Sequence, residues 1–499
     1  IGYTYPTVFR HSEWFRESPS RLLYNLGSRV YLNNVIQLPK VQYEFFSNET
    51  IEEKRLRESR RDSIKNGFLH AWNGYTKYAW GYDELLPLTN VGRNNFNGWG
   101  ATIIDALDTM WIMDLKEEFN RSKDFVRSVD FTKSDENINV FETTIRYLGG
   151  LLSAYELSKE LVFLEKAQEL GNALLPSFDS PTGLPYNSWN LTWFAYLLIT
   201  KDLLCIIIRC SRTSILAQVG TMQLEFMKLS QLTDINLIMF KKVQDVIEIL
   251  DHAEKYTPGL YPLEIDQDSA EFIGSHVSFG PLGDSFYEAR VHYLLKVYVF
   301  TGGALDQYRR MYIESVESMR KYLIKEGRAC FVPGMLAVDA KILDRPDDLE
   351  IAIGLAETCY WSYNVTVTGL GPEEFWFLTS ADELSQNEID WLKKQEETNN
   401  LPNGLVRISP TYLLRPETVE SLFILYRITG DKKYQERGWK IWQAIEKWCK
   451  TSTAYSGLKN VNTEKAEMNN IMESPPDVIS LDTYVFNTEA HPLLRMLKH

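Results

Sequence analysis

An all-α fold, organised as one large helical unit, is what the sequence predicts, and three observations carry that reading. Apolar residues recur at i, i+3 and i+4 along most of the chain, and long β-branched alternations are rare. The periodic stretches are joined by short Gly/Pro-bearing segments: SPTGLPYN (180–187), FGPLG (279–283), TGLGPEE (368–374) and LPNGL (401–405). No Ser/Gly/Pro-rich linker divides the chain, although its length would suit roughly three average domains.

In chain order, helices are expected over 52–80, 101–114, 139–158, 160–175, 214–231, 237–256, 284–300, 304–325, 350–362, 410–428 and 432–449. The first opens with EEKRLRESRR (52–61), whose mixed charges at helical spacing read as a solvated face. Helix 139–158 has an apolar face of Val140, Phe141, Ile145, Leu148 and Leu152. The helix after 284 begins with Ser285 and Glu288 at capping-box spacing, and Pro416 suits a first helical turn. DTYVFNTEAHP (482–492) is the best strand-and-turn candidate, with Asn487-Thr488 near its bend. A helical-repeat solenoid is the rival architecture, weakened by the lack of a fixed sequence period.

Composition narrows the function. With 53 Lys+Arg against 67 Asp+Glu the net charge is −14, which argues against nucleic acid, since phosphate binding needs clustered cations. Apolar residues at 44% exclude a disordered chain, while 28 Gly, 19 Pro and 5 Cys exclude collagen-like and disulfide-dense scaffolds. An acidic chain with 13 Trp, 27 Tyr and 24 Phe suits a neutral, hydroxyl-rich ligand such as a sugar. The chain starts at Ile1, so an upstream anchor or signal is expected to have been removed. WFAYLLITKDLLCIIIRC (193–210) is interrupted by Lys201 and Asp202 and is not read as a transmembrane span. Sequons stand at Asn48, Asn120, Asn190 and Asn364. Five cysteines cannot all pair within one chain; Cys205 and Cys210 lack a zinc-type second pair, and Cys330 and Cys359 would close a modest loop if bridged.

Nucleotide-loop, zinc-protease and serine-elbow motifs are absent, and only seven His occur, so attention falls on carboxylates. Glu142 lies among apolar residues with Arg146 at i+4. It reads either as a helix salt bridge or as a carboxyl whose pKa is raised for proton donation. Asp284 belongs to a helix start. Glu417, also at a helix start, would be stabilised as an anion there, as a general base requires, and Glu420 lies one turn along the same face.

Taken together, FLHAWNGYTKYAWGYDELLP (68–87), NFNGWGATIIDALDT (95–109), NVFETTIRYLGGLLSAY (139–155), GTMQLEFMKLSQLT (220–233), LGDSFYE (282–288), TGLGPE (368–373), LLRPETVES (413–421) and VFNTEAHP (485–492) resemble the class I α-1,2-mannosidases, glycoside hydrolase family 47. The resemblance spans about residues 60–492, leaving 1–50 as an N-terminal extension and 51–499 as the catalytic domain. It implies a single (α/α)7 barrel plugged by a C-terminal β-hairpin. It also implies Ca²⁺-dependent, inverting removal of α-1,2-linked mannose from high-mannose Asn-linked oligosaccharides in the secretory pathway, by a monomer in the Golgi or endoplasmic reticulum lumen or secreted. Under it Glu142 resembles the proton donor, acting through a water. Asp284 and Glu417 resemble the pair that handles the nucleophilic water, with Glu417 the favoured base, and Glu373 resembles a fourth catalytic carboxylate. Thr488 resembles the Ca²⁺ ligand. Arg146, Glu225, Glu288, Arg415, Glu420 and Glu489 match positions around substrate or metal, and Cys330 and Cys359 match the family's disulfide.

The chain departs from the family in places. Leu282 stands where endoplasmic-reticulum members carry Arg and Golgi and fungal members carry Leu, which favours the broader Golgi-like specificity. EGRACF (326–331) lacks the family's His, ARVH (289–292) is inserted, and 193–210 replaces a polar loop. After MES (472–474) the chain passes directly to PPDVISLDTYVFNTE (475–489), omitting an inner helix of about a dozen or more residues. The alternative expectation is therefore a weak or inactive, lectin-like binder of high-mannose glycoproteins.

Overall fold

The structure, a computed structural model, describes residues 35–45, 49–134, 136–191, 213–233, 236–279, 282–287, 293–323, 330, 332–377, 405–472 and 481–496, with strands Leu23–Leu26 and Arg29–Leu32 and positions 386 and 390. It is mostly helical. Helix Ile51–Tyr78 starts at a capping box, in which Thr50 Oγ1 accepts from Glu53 N at 3.1 Å and Glu53 Oε2 from Thr50 N at 2.9 Å.

Further helices pack as sequence neighbours: Leu107–Ile112 with Lys116–Ser128, Gly149–Ser158 with Leu161–Leu174, and Gln223–Leu232 with Asn236–His252. Tyr293–Phe300 packs with Asp306–Tyr322, Val332–Ile342 with Pro346–Asn364, and Glu417–Thr429 with Lys433–Trp448. Members of a pair differ in kind. Tyr293–Phe300 is buried at every position and Val332–Ile342 at all but Lys341, whereas Asp306–Tyr322 and Pro346–Asn364 each bury one side. A helix apolar all round must be enclosed, and a striped one can cover it. One apolar core runs from Val41 to Met496.

Several boundaries differ from the sequence reading. Lys116–Ser128 buries only Phe119, Ser122 and Val126, too thin a stripe to stand out among its charges. Val332–Ile342 carries Pro333 and Gly334 in its first turn, which read as breakers; a first-turn proline costs little because its N–H would be unpaired anyway. The expected helix from 410 starts only at Glu417, after Pro416. Before it, Leu405–Ser409 pairs antiparallel with Glu374–Phe377, and Tyr412 bridges to Leu458. Residues 193–210, 288–292 and 475–480 lie outside the described residues. Among the described residues no helix intervenes between Trp448 and the C-terminal hairpin, and none is long and apolar enough to cross a membrane.

The expected hairpin pairs Tyr484–Phe486 with Pro492–Leu494, in register Tyr484↔Leu494, Val485↔Leu493 and Phe486↔Pro492. Beneath it, buried Lys228 pairs with buried Glu156 at 3.1 Å and donates to the Leu494 carbonyl. The N-terminal segment follows the body: Ile36 N donates to Gly302 O at 2.8 Å, Val41 N to Asp482 Oδ1 at 2.7 Å and Tyr43 N to Arg427 O at 2.7 Å. Cys330 and Cys359 form the disulfide that the resemblance implied, with Cα atoms 5.6 Å apart, and Cys449 is a buried free thiol.

Candidate active site

The site is built around a loop, a helix start and the hairpin turn. Fully buried Asp83 gathers the loop: it accepts from the backbone N–H groups of Phe96 and Gly98 at 2.8 Å each, Gly100 at 3.0 Å and Ala101 at 3.1 Å. The Tyr147 hydroxyl adds a fifth donor at 2.9 Å. So many donors on one carboxylate fix a loop that passes through positive φ at Asn97, Gly98 and Gly100. The result places the Phe96 ring 4.7 Å from the Arg146 guanidinium.

Glu142 ends the turn Val140–Glu142, which Asn139 caps by accepting from Glu142 N at 3.0 Å. The chain then widens into a π-helical turn, Thr143–Leu148, that carries Arg146. Such widened turns are frequent at functional sites. Arg146 Nε donates to Glu142 Oε2 at 3.0 Å, Nη1 lies 3.0 Å from Glu489 Oε2, and Nη1 lies 3.7 Å from Asp105 Oδ2. All four side chains are largely buried. Burial raises the Glu142 pKa above the usual carboxylate value, Arg146 opposes this, and Glu489 and Asp105 add to it. The salt-bridge contact is thus present, and burial, with one arginine shared among three carboxylates, still holds the Glu142 carboxyl above its ordinary range.

The hairpin turn reaches this cluster through two glycines. A Cβ on Gly149 would meet Asn487 Nδ2 at 2.2 Å, and one on Gly150 would meet Ile104 O at 2.8 Å, so only glycine lets the turn approach the helix so closely. Asn487 Nδ2 donates to Ile145 O at 2.7 Å and to Glu225 Oε1 at 2.8 Å. Fully buried Glu225, which also accepts from the Tyr293 hydroxyl at 3.2 Å, is pushed by burial up to about 7. Next along the turn, Thr488 Oγ1 is buried and has no hydrogen-bond partner. A buried hydroxyl left unpaired costs about 1–3 kcal/mol, so a ligand for that oxygen is called for, and a hard, oxygen-seeking cation fits.

A second group lies near the start of helix Glu417–Thr429. Glu373 Oε2 accepts from Arg415 Nε at 2.7 Å and Oε1 from Leu413 N at 3.2 Å. Glu417 and Glu373 both lie near the buried rings of Tyr363 and Tyr412, whose hydroxyl pKa values are raised above all by burial, with these carboxylates among the smaller contributions. Glu420 is buried one turn along. Leu414, just before Arg415, has φ +65°, a strained value for leucine. Leu282 shares that strain at φ +73° and is exposed. It precedes the turn Asp284–Tyr287; the Asp284 side chain and all of Glu288 lie outside the described residues.

The structure thus brings Glu142 and Glu489 each into contact with Arg146 and ties Glu225 to the Thr488 turn through Asn487, with Glu373, Arg415 and Glu417 near one another in the second group. Asp83, Phe96, Asp105, Asp108 and His491 escaped the sequence reading. Asp105 and Asp108, three residues apart in the expected helix 101–114 and placed on the adjoining helices Ala101–Asp105 and Leu107–Ile112, were the available signal; Asp83 lies in a loop and has no periodic mark.

The sequence profile described as glycosyl hydrolase family 47 matches residues 67–329 and 326–495. A mannosyl-oligosaccharide 1,2-alpha-mannosidase of Arabidopsis thaliana is 40% identical over 487 residues, covering 87% of this chain and 79% of that protein. The endoplasmic reticulum mannosyl-oligosaccharide 1,2-alpha-mannosidase of Rattus norvegicus is 36% identical over 499 residues, covering 90% and 70%. The solved structure of an alpha-1,2-mannosidase from Trichoderma reesei superposes with a TM-score of 0.77 at 26% identity, covering 88% of this chain and 99% of that one.

Proposed function

The chain belongs to glycosyl hydrolase family 47, and from that premise we propose that it is an exo-acting mannosyl-oligosaccharide 1,2-alpha-mannosidase of the secretory pathway. Its substrate is the terminal α-1,2-linked mannose of high-mannose Asn-linked glycans, and it cleaves with inversion. The observation that carries this reading is Arg146 shared by Glu142, Glu489 and Asp105 beside a hairpin turn whose Thr488 hydroxyl is buried and unpaired.

Glu142 holds the proton destined for the leaving oxygen, delivered through a water. Glu417, at a helix N-terminus that favours its anion, removes a proton from the attacking water, with Asp284 as its partner. Inversion needs the two carboxyl groups roughly 6.5–9.5 Å apart, leaving room for that water. Glu373, held by Arg415 and Leu413 N, is the fourth catalytic carboxylate. Ca²⁺ bound at Thr488 would supply a hard cation that grips sugar hydroxyls; its remaining oxygens would come from water and substrate. Leu282, exposed, would meet a glycan branch without hydrogen bonds, which supports Golgi-like breadth.

The alternation of enclosed and striped helices supports an (α/α)7 barrel with the hairpin inside it. Among the described residues, Ile51–Tyr78 packs against Lys433–Trp448, both solvent-facing on one side.

Purified protein is to be incubated with a high-mannose glycan, with Ca²⁺ or with chelator, and the products followed by NMR. Release of mannose, first as the β-anomer and only without chelator, is expected. No release under any metal condition would refute the reading, and glycan binding without release would favour the lectin-like alternative.

A further inference from the structure

Behind the proton-donor cluster lies a second buried charge system that the mechanism does not yet use. His491, 2% exposed, stands between two carboxylates: Nδ1 lies 2.7 Å from Asp108 Oδ2 and Nε2 lies 3.3 Å from Asp105 Oδ1. An imidazole facing an acceptor on each nitrogen satisfies both only as the imidazolium, since the neutral ring has one N–H. Its backbone is fixed as well, His491 N donating to Asn487 Oδ1 at 2.9 Å. Asp105 faces the other way toward Arg146, at 3.7 Å, and Arg146 in turn holds Glu142 at 3.0 Å. A continuous chain of alternating charges thus runs Asp108–His491–Asp105–Arg146–Glu142.

We propose that His491 is a positioning residue for the proton donor: as a fixed cation it holds Asp105 back from Arg146, so that the guanidinium stays committed to Glu142 and Glu489. This rests on the assignment of Glu142 as the acid. The groups facing Glu142 are Arg146, Glu489 and Asp105, and those facing His491 are Asp105 and Asp108. Burial disfavours charge on His491, but the two aspartates outweigh it and raise its pKa to about 10, so the cation persists through neutral pH.

The sign of the effect makes the proposal testable. The basic limb of the kcat/KM profile reports the acid's pKa in the free enzyme. His491→Gln removes a cation and frees Asp105 to draw Arg146 away, so that limb should rise by about half a pH unit or more. Asp108→Asn removes an anion while Asp105 keeps His491 charged, so the limb should fall by a similar amount. A merely structural role would lower the melting temperature of both variants without opposite shifts, and shifts of the same sign, or none, would overturn the proposal.

An arm independent of turnover uses the wild-type protein with ¹⁵N-labelled histidine. Both ring nitrogens of His491 should be protonated at pH 7, and a neutral ring would overturn the proposal even where mannose is released. A charged ring in a protein that releases no mannose would sink the catalytic reading of Glu142 and leave the electrostatic clamp standing.

Discussion

Glu142 and Glu373 each accept a hydrogen bond from an arginine Nε, at 3.0 and 2.7 Å, yet their surroundings differ. Around Glu142, burial first raises the carboxyl above its ordinary range, and Glu489 and Asp105, which draw on the same guanidinium, add to that shift. Around Glu373 a second donor, Leu413 N, joins Arg415, whose side chain is 48% exposed. An arginine–glutamate contact therefore does not declare a role by itself. The number of anions competing for the cation, and the water around it, decide.

The contrast is tested most directly at Glu142, and alongside it at Glu417, the proposed base. Glu142→Gln should abolish the basic limb of the pH–rate profile and Glu417→Gln the acidic limb, each lowering kcat about a thousand-fold. Glycan affinity by calorimetry should stay nearly intact; equal loss of affinity and turnover at Glu417 would make it structural. A smaller effect is expected where the hairpin docks: Gly149→Ala forces a Cβ against Asn487 and should cost about 1–3 kcal/mol in denaturant unfolding, with turnover falling alongside. Thr488→Ala should weaken Ca²⁺ about tenfold, and an unchanged titration would place the cation elsewhere.

The smallest effect concerns a carboxylate in neither group. Asp339, fully buried beside Asp348, Arg345 and Tyr312, is raised by burial first and then by Asp348. Above the ordinary carboxylate range the folded state therefore binds more protons than the unfolded chain, and stability falls as pH rises from there through the raised value. Asp339→Asn should flatten the decline of melting temperature between pH 5 and 9, and an unaltered slope would refute the assignment.

Helix placement was legible where apolar spacing was strong, as in 139–158 and 432–449, and failed where charge or a first-turn proline masked it, as at Lys116–Ser128 and Val332–Ile342. The Glu142–Arg146 contact was legible because i and i+4 must meet on a helix. Its competitors were not: Asp105 and Glu489 come from distant segments, and periodicity carries no record of which segments converge. The hairpin showed in its β-branched and turn residues, but its closeness to Gly149 and Gly150 depends on what packs there, which spacing alone does not encode.

The bond from Asn487 to Ile145 closes a sequence separation of 342 residues. Contacts of that span form only after the intervening elements are ordered, since the entropy of so large a loop must be met before the contact rewards it. Glu142 thus owes its full electrostatic setting to segments far apart in the chain, and its pKa becomes a readout of completed assembly. A partly folded chain that kept the Glu142–Arg146 pair but lacked the docked hairpin would lack Glu489 beside it.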